Sequence, residues 1–538
     1  MRPLYFKVIA LFFLGLFAKN YSQNININWN TIEGQVPDKI FGINIWDGTL
    51  NGINNDFEYK TAMAELNLSI VRFHAYEMTL NSNSKSWYDT TNQTWRSSVI
   101  DGCLEAQSNV PNKMISIFNF PQWLSKDGID VKNMNVSNAQ VYADWCANLV
   151  QIVNIDLAKK VKYWSVFNEL ESNYNGNISD LATIYLACYT KMKWIDPTIQ
   201  IGAFAISQPW WNNSAQYDFY RLTKNNLDFI DYHLYGGENT APANNLLYND
   251  ATFLGYGGVD NVRSIATSAG VSLSVPIWLS ETNMTYTFTN DTDGKMKSNV
   301  GAVWDALLFE SAIKSKAISS IMLFNDRDGV YGKLAPNNSK RPAYYNLKIL
   351  SNNFYGSFVN STSTDSDIKI LAVKGASYNS VMICNRSLVD KTVNVSFTNG
   401  PANGITYKKI ELKNAISETD LNWNNAQNYS IPSESMIYLI FKNSLGLKPI
   451  EKKADLIFLE STVLNANLIK LNSAIETNTN LVVTDLSGKK LLELKDQKLN
   501  RGSNTIDLSG FNFIRGIYIL KIDQKNNTSY SFKIVFNY

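Results

Sequence analysis

Histidine and cysteine are scarce in this sequence. Two His and four Cys occur among 538 residues, which excludes a zinc site built mainly from histidines. None of the cysteines has the spacing of a metal-binding pair. Cys103, Cys146 and Cys188 fall in predicted helices among apolar neighbours, and with Cys384 they are expected to be buried free thiols. Disulfides formed in an oxidising compartment are the alternative.

A charge excess of one sign and a long internal apolar run are also missing. The chain has 49 Lys and Arg against 47 Asp and Glu, a net charge of +2. Without a basic stripe, nucleic acid is not expected as a partner. No stretch beyond the amino terminus resembles a membrane helix, so no membrane span is expected.

The amino terminus has the pattern of a secretory signal peptide. Arg2 and Lys7 make its start positive, residues 8–18 are apolar, and residues 19–23 are polar. The apolar run is too short to span a bilayer comfortably. Residues 1–23 are therefore predicted to be a signal peptide, and the protein is expected to be exported.

Short β-branched runs alternate with helical patterns from about residue 38 to residue 350. This alternation predicts a parallel sheet with crossover helices. Eight strands over roughly three hundred residues fit a closed (β/α)8 TIM barrel better than an open sheet. The predicted strands are 39–46, 69–74, 113–119, 161–169, 199–205, 229–235, 276–281 and 319–325. The predicted fold class is α/β, with the barrel in residues 24–350.

The pattern changes after the barrel to short alternating segments separated by turn residues. Residues 351–445 are predicted to form an antiparallel β-sandwich, with which an early strand at 24–29 is expected to pair. Polar residues 446–456 are predicted to be a linker. Residues 457–538 are predicted to be a third, small β-domain.

The third domain carries a recognisable succession of segments. TDLSGK, NTIDLSG, GIYILKI and KIV follow one another within it. The succession resembles the C-terminal sorting domain of the Bacteroidetes type IX secretion system, although the usual Pro-Asn-Pro start is absent. The resemblance implies the type IX secretion machinery as a partner, passage through the outer membrane, and then release or attachment to the cell surface. An ordinary carbohydrate-binding sandwich is the alternative.

Polar residues end four of the predicted barrel strands, at the barrel edge where active sites lie. They are Arg72 and His74 on the second strand, Asn168 and Glu169 on the fourth, His233 and Tyr235 on the sixth, and Glu281 on the seventh. Glu169 and Glu281 are therefore expected to face each other across the barrel mouth. Cleavage of a glycosidic bond needs such a pair of carboxyl groups.

This arrangement resembles the clan A glycoside hydrolases, which are retaining (β/α)8 enzymes. The resemblance rests on Asn-Glu, His-x-Tyr and Glu at the ends of the fourth, sixth and seventh strands, and covers residues 38–350. It implies that Glu169 is the general acid/base and Glu281 the nucleophile. The alternatives are that Glu169 is a helix-entry carboxylate and that Glu281 belongs to a structural ion pair.

The same resemblance implies roles for the residues around the two carboxylates. Asn168 would bind the sugar 2-hydroxyl, and His233 would line the same subsite. Arg72 and Tyr235 would hold Glu281 ionised and oriented. His74, at the end of the second strand, is expected either to contact the substrate or to support the site.

Aromatic residues in the loops after the strands are candidates for stacking against sugar rings. Trp46 and Trp123 are the strongest of these, and the others are Trp87, Trp95, Trp210 and Trp211. Clan A enzymes commonly have a Trp at the end of the eighth strand, where this chain offers Phe324 or Asn325 instead.

The sequence therefore predicts a secreted retaining glycoside hydrolase that uses neither a cofactor nor a metal ion. Its expected substrate is the β-glycosidic bond of an extracellular polysaccharide or its oligosaccharides. The barrel followed by a sandwich resembles families 39, 30 and 86 of the clan, so both agarase- or porphyranase-like and xylanase-, xylosidase- or glucanase-like activities remain open. The alternative is a non-catalytic surface protein that binds carbohydrate on a glycosidase-like barrel.

Overall fold

The structure is a computed structural model that describes residues 23–49, 55–74, 86–289, 291, 293–443 and 457–536, the last range with gaps at 460–462, 465–467, 474, 486–487, 509, 512, 514–515 and 525–528. The expected linker, and the expected signal peptide apart from Gln23, lie outside the described residues.

A closed barrel of eight parallel strands forms the first part of the chain, as the alternating pattern predicted. The strands up to its end are β1 Gln23–Gln35, β2 Lys39–Ile45, β3 Ile70–His74, β4 Tyr88–Asp89, β5 Thr94–Trp95, β6 Asn112–Ser116, β7 Tyr163–Ser165, β8 Gln200–Ile206, β9 Phe229–His233, β10 Ile277–Thr282 and β11 Ser320–Leu323. The barrel runs in the order β2-β3-β6-β7-β8-β9-β10-β11, and β11 pairs with β2 to close it. Strands β4 and β5 form a separate two-stranded sheet.

Helices connect the barrel strands and cover their outer side. They are α1 Phe57–Glu65, α2 Ser97–Glu105, α3 Ala139–Val150, α4 Ile178–Ile195, α5 Asn213–Thr223, α6 Asn244–Leu254, α7 Gly257–Ser268, α8 Asn299–Ser315 and α9 Pro342–Asn353. A π-helical turn, Gln151–Asp156, continues α3.

The barrel interior has an apolar floor with a polar layer above it. The floor consists of six buried side chains in mutual contact, which are Ile70, Met114, Tyr163, Phe229, Trp278 and Met322. Side chains two residues apart on a strand point to the same side. The next inward layer is therefore Arg72, Ser116, Ser165, Asp231 and Ser280, all buried. The barrel interior is therefore polar from this layer up to the carboxyl ends of the strands.

All eight predicted barrel strands are present, and the fourth shows the largest difference. It was expected to extend through Glu169, but β7 ends at Ser165. Glu169 has a φ of +54°, in the left-handed region and far from the extended range of regular strand backbone, and its amide donates to the carbonyl of Ala205. The chain therefore leaves the sheet before it reaches the acidic residue.

The second part of the chain forms a nine-stranded sheet. Its strands are β12 Ser357–Ser363, β13 Ile368–Lys374, β14 Tyr378–Asn385, β15 Lys391–Thr398, β16 Thr406–Lys413, β17 Ala415–Asn422, β18 Ala426–Ile431 and β19 Ser435–Lys442, and β1 lies between β12 and β15. The early strand thus pairs with this sheet, as expected, antiparallel to β12 and parallel to β15. The sheet folds over its own core, because the hydroxyls of Tyr407 and Tyr429, on β16 and β18, lie 2.6 Å apart.

The outer face of this sandwich packs against the barrel helices. Leu371, Met382 and Tyr438 belong to the same continuous apolar core as Leu347 on α9. Tyr438 donates a hydrogen bond of 2.6 Å to Oδ1 of Asn346, and both residues are buried. The sandwich therefore shares a core with the barrel.

Residues 457–536 form two further small sheets around a core of their own. The strands are β20 Ile457–Leu459, β21 Val463–Leu464, β22 Leu468–Ser473, β23 Thr477–Thr484, β24 Lys490–Leu499, β25 Gly502–Asp507, β26 Gly516–Gln524 and β27 Ser529–Phe536. The domain boundaries given above remain predictions. Residues 24–35, which were placed in the barrel domain, form β1 together with Gln23 and belong to the nine-stranded sheet.

Two composition-based expectations can be compared with the described residues. Cys103, Cys146, Cys188 and Cys384 are all buried free thiols. Within the described ranges, the helices lack the combined length and apolar character that crossing a membrane would require.

Candidate active site

Glu281 reaches the barrel mouth because β10 breaks its own alternation. Trp278 and Ser280 point inward, so strict alternation would turn residue 281 outward. The pairing of β10 with β9 instead shifts register between Leu279 and Glu281. This irregularity brings Ser280 and Glu281 to the inner side together, and the Glu281 side chain is only 8% exposed.

Arg72 is the hub of the polar layer beneath the mouth. Its Nη1 atom donates to Glu281 Oε1 at 2.5 Å and to Asn44 Oδ1 at 3.0 Å. Its Nη2 atom donates to Asn168 Oδ1 at 2.6 Å and to Ser116 Oγ at 2.9 Å. The planar guanidinium thus connects strands on both sides of the barrel and carries one fixed positive charge to the carboxylate.

Glu281 is held in its ionised form. Burial raises the pKa of a carboxyl group, but the charges of His233 and Arg72 outweigh it and bring the pKa of Glu281 to about 2. Tyr235 donates to the second oxygen, Oε2, at 2.9 Å. Burial raises the pKa of Tyr235 well above its ordinary value, so its hydroxyl keeps the proton that it donates.

Glu169 lies opposite and is more accessible, with 34% of its side chain exposed. His233 Nδ1 lies 2.7 Å from Glu169 Oε1, and His233 Nε2 lies 3.6 Å from Glu281 Oε1. Burial lowers the pKa of His233. The charge of Glu281 and the hydrogen bond to Glu169 raise it by more, so the net shift is upward. One buried imidazole therefore bridges the two carboxylates.

The two carboxyl groups are close neighbours. A ligand atom from each of Glu169, His233 and Glu281 lies within 4.8 Å of the other two. Such a set could hold a metal ion, but the Arg72 guanidinium already neutralises Glu281 and lowers its attraction for a second cation. The separation is short enough for one sugar carbon to lie between the carboxyl groups.

His74 lies beside this pair without bridging it. Its Nε2 atom is 2.9 Å from Arg72 Nη1, 2.7 Å from Asn44 Oδ1 and 3.4 Å from Glu281 Oε1. Burial, and then the charge of Arg72, lower the pKa of His74 well below its ordinary value. His74 is therefore a neutral group that packs against the Arg72–Glu281 pair.

A cleft of about 550 Å³ opens above these groups. Its volume is typical of a small-molecule or oligosaccharide site. Its lining residues are Trp46, His74, Phe118, Asn168, Glu169, Ser207, Gln208, Leu234, Tyr235, Glu281, Tyr286, Phe288, Phe324 and Tyr331. One side is an aromatic wall, in which the Phe324 ring lies 5.4 Å from that of Trp46 and 5.6 Å from that of Tyr331.

The loop that carries Trp46 is held by a buried carboxylate that the strand-end pattern did not single out. Asp326 accepts from the backbone amides of Trp46, Asp47 and Gly48 at 2.9–3.1 Å. The hydroxyl of Tyr59 donates to the same carboxylate at 2.6 Å. The position of Trp46 on the wall is therefore fixed by the segment that directly follows the eighth strand.

Three residues expected to contact substrate or to line its subsite are absent from the cleft lining, and one of them is His233, which is fully buried. Trp123 is in the short helix Gln122–Leu124 and is 42% exposed. Asn325 is fully buried, and its Nδ2 donates to Asp328 Oδ2 at 2.8 Å. Its neighbour Phe324 lines the cleft instead.

The other loop tryptophans also differ in environment. Trp87 and Trp95 are buried in the core, and Trp87 Nε1 donates to the carbonyl of Thr49. Trp210 is 44% exposed. Neither Trp210 nor Trp211 is among the residues that line the cleft.

Several residues of the site, in the cleft lining and in the polar layer around Arg72, were not predicted. Asn44 and Ser116 bind Arg72 from the ends of β2 and β6, and the strand-end pattern could have identified both. Tyr286 and Phe288, 59% and 47% exposed, follow the seventh strand. Looking for loop aromatics after every strand, rather than after the first five, would have found them.

Solved structures resemble most of this chain in fold. A monomeric β-xylosidase from Caulobacter crescentus CB15 matches with a TM-score of 0.60 and 14% identity, over 79% of this chain and 100% of that chain. The GH39 enzyme from Xanthomonas axonopodis pv. citri matches with a TM-score of 0.59 and 13% identity, over 78% and 97%. A GH30 endoxylanase from Clostridium papyrosolvens C71 matches with a TM-score of 0.55 and 13% identity, over 78% and 100%. The expected resemblance in fold to families 39 and 30 is therefore confirmed.

A family model covers the end of the chain. Residues 464–537 match the secretion system C-terminal sorting domain, which confirms the resemblance of this segment. No curated protein matches the chain in sequence.

Proposed function

We propose that this protein is a retaining glycoside hydrolase with Glu281 as nucleophile and Glu169 as general acid/base. The observation that carries the proposal is the short distance between the carboxyl groups of Glu169 and Glu281. An oxygen of each carboxyl group lies within 4.8 Å of the other, and His233 connects them. Direct attack by one carboxylate requires a separation of about 5–5.5 Å, whereas a water-spanning inverting pair needs about 6.5–9.5 Å.

In the first step, the ionised carboxylate of Glu281 attacks the anomeric carbon. The bond from that carbon to the leaving oxygen breaks, and Glu169 in its acid form transfers a proton to that oxygen. A sugar ester of Glu281 forms and the aglycone departs as an alcohol. The low pKa of Glu281, about 2, supports this role because the nucleophile must carry no proton.

In the second step, the roles of the carboxyl groups reverse. Glu169, now ionised, takes a proton from a water molecule, whose oxygen attacks the anomeric carbon and displaces Glu281. Two inversions give net retention. Exposure of the Glu169 side chain at 34%, against 8% for Glu281, supports this assignment because only the acid/base must meet water.

Neighbouring groups support binding of a sugar at this point. Arg72 donates to Oδ1 of Asn168, so the Nδ2 group of Asn168 is available to donate to a sugar hydroxyl. Tyr235 fixes one oxygen of Glu281 and Arg72 the other. Phe324 takes the place where clan A enzymes commonly have a Trp, and it belongs to the aromatic wall of the cleft.

The substrate proposed is a β-glycosidic bond in an extracellular polysaccharide or its oligosaccharides. The aromatic wall of the cleft supports a carbohydrate, since flat rings pack against the apolar faces of sugars. Among the structural neighbours, the names β-xylosidase and endoxylanase favour a xylan-type substrate as the first to test. The sorting-domain match supports export by the type IX machinery, to the cell surface or the medium.

The proposal is tested on aryl β-glycosides and on xylan with the full chain. We expect ¹H NMR to show the β-anomer as the first product. Glu281→Ala should reduce kcat by roughly 10⁴-fold or more, while circular dichroism stays unchanged. Glu418→Ala, on the exposed surface of β17, is the matched control and should keep full activity.

The acid role of Glu169 has a separate signature. Glu169→Ala should slow release of a poor leaving group by about 10²–10⁴-fold, but barely affect the first step with a good one, which needs no proton. An inverted first product would refute the retaining mechanism. Equal damage with both leaving groups would refute the assignment of Glu169.

A further inference from the structure

Three exposed aromatic side chains form a contiguous group outside the cleft, in which Phe253 contacts the other two. Trp210, Phe253 and Tyr256 are 44%, 40% and 43% exposed. The rings of Trp210 and Phe253 are nearly parallel, at 11°, with centroids 5.8 Å apart. The Phe253 and Tyr256 rings meet edge to face at 5.5 Å. We call these three residues the outer platform. Contiguous exposed apolar surface of this kind marks binding sites more often than single exposed residues do.

The outer platform is continuous with the cleft. Gln208 lines the cleft, and Trp210 follows two residues later, so their Cα atoms lie at most about 7 Å apart. Pro209, between them, packs against Gly258 at the start of α7. Leu234, another cleft residue, packs against the same glycine. The platform therefore adjoins the wall that carries Gln208 and Leu234.

The backbone on both sides of Trp210 is fixed. The buried amide of Gln216 donates to the carbonyl of Pro209 at 2.9 Å and to that of Trp211 at 2.5 Å. Asn261 donates to the Pro209 carbonyl as well, at 2.5 Å. A segment held from two helices loses little entropy when its exposed ring binds a ligand.

The position of the Phe253 ring depends on a neighbouring glycine. A Cβ atom at Gly257 would lie 2.2 Å from the Phe253 ring, so a larger residue at 257 would displace that ring. Glycine at the start of α7 therefore provides space for the platform, at the usual cost of glycine in a helix.

We propose that the outer platform binds sugar units of the polysaccharide chain that extend beyond the cleft. This inference rests on the proposed function, and it adds a second carbohydrate site on the same face of the barrel. The three rings carry no charge and present apolar area with one phenol hydroxyl and one indole N–H, which matches a neutral glycan rather than an ionic ligand. Continuity with the cleft favours a glycan chain over a second copy of the protein.

Affinity electrophoresis of the full chain tests this inference. The background is Glu281→Ala, which keeps the polysaccharide intact, and the gels contain xylan, mixed-linkage β-glucan, arabinan or agarose. We expect at least one polymer to retard the protein. Trp210→Ala and Phe253→Ala should each weaken that retardation by about 3- to 10-fold in apparent Kd.

Trp194→Ala is the matched control. Trp194 is 80% exposed near the end of α4, a helix that leads the chain away from the barrel mouth, and its loss should leave retardation unchanged. Equal retardation of the Trp210→Ala and Trp194→Ala proteins, or no retardation in any gel, would overturn the inference. Light scattering that shows a dimer converted to a monomer by Trp210→Ala would overturn it in favour of self-association.

Failure of the proposed function would look different. If Glu281→Ala still hydrolysed aryl glycosides, Glu281 would not be the nucleophile. Binding of polysaccharide by the outer platform would still be tested by the retardation of the variants in the gels. In the native background, Trp210→Ala should lower kcat/KM on the retarding polymer more than on an aryl glycoside, because only the polymer reaches beyond the cleft.

Discussion

The guanidinium of Arg72 and the carboxylate of Glu281 are in contact at 2.5 Å, although 209 residues separate them in the chain. Both are buried, so water screens their attraction little. The contact connects the second strand to the seventh across the barrel mouth. Together with the charge of His233, the contact with Arg72 keeps the buried carboxylate of Glu281 ionised, which is the state in which it can act as a nucleophile.

Replacing Arg72 should make the reaction fail at mildly acidic pH. Without the neighbouring positive charge, the pKa of Glu281 rises from about 2. Arg72→Met should therefore move the acidic limb of the kcat/KM profile upward by roughly 1–3 pH units. Arg72→Lys keeps the charge and should move it less. Arg386→Met, which removes a surface partner of Asp367, should leave the limb in place. An unchanged limb in Arg72→Met would disprove the electrostatic role.

Trp46 and Trp123 should differ in their effect on substrate binding. Trp46 lines the cleft, whereas Trp123 is exposed outside its lining. Trp46→Ala should raise KM by roughly 2- to 10-fold, the value of one aromatic contact, and Trp123→Ala should not change it. Steady-state kinetics on xylan-derived oligosaccharides measures both. A larger effect of Trp123→Ala would mean that the sugar follows another path across the barrel mouth.

The two histidines should influence stability with opposite pH dependence. The pKa of His233 is raised in the folded protein, so the native state binds more protons above pH 6.5 than the unfolded chain. The stability that His233 contributes is present below pH 6.5 and is lost as pH rises through its folded pKa. The difference in Tm between the parent and His233→Asn should therefore shrink from pH 6 to pH 9.

His74 provides the matched comparison for that experiment. Its folded pKa is lowered, so the unfolded chain binds more protons below pH 6.5. The parent should lose stability relative to His74→Asn as pH falls below 6.5. Slopes of the same sign for the two variants would contradict the assigned charge states.

The contact between the sandwich and the barrel should contribute measurably to stability. Tyr438→Phe removes the hydroxyl that donates to Asn346 and leaves a buried amide oxygen unpaired. The free energy of unfolding should fall by about 1–3 kcal/mol, measured by denaturant titration. Tyr217→Phe, on the exposed surface of α5, is the control and should have no effect. Equal stability of the two variants would mean that the buried hydroxyl contributes little.

Most of the barrel could be predicted from the sequence because its signals are local. A buried parallel strand is a short run of β-branched residues, and a covering helix has its own period, so each element is visible without its neighbours. The strand-end rule then located Arg72, Glu169, His233 and Glu281 at one rim, since all carboxyl ends of a parallel barrel face the same way. The resemblance to clan A assigned the roles.

Other parts of the site depend on contacts between distant segments. The register shift that turns Glu281 inward arises from pairing between β10 and β9, and the support of Trp46 comes from Asp326. Neither has a signature in the local sequence. The sequence also could not show that Trp123 and Trp210 lie outside the cleft lining, because the path of each loop decides where its tryptophan points.

The sequence alone thus determined the order of the strands and the chemical groups at their ends, because hydrophobic period and strand polarity are properties of short segments. Tertiary structure decided which of those groups meet, at what distance and in which charge state. Distances and pKa values depend on atoms brought together from remote parts of the chain. The charges of His233 and Arg72 keep the buried Glu281 ionised, whereas burial keeps the neighbouring His74 neutral.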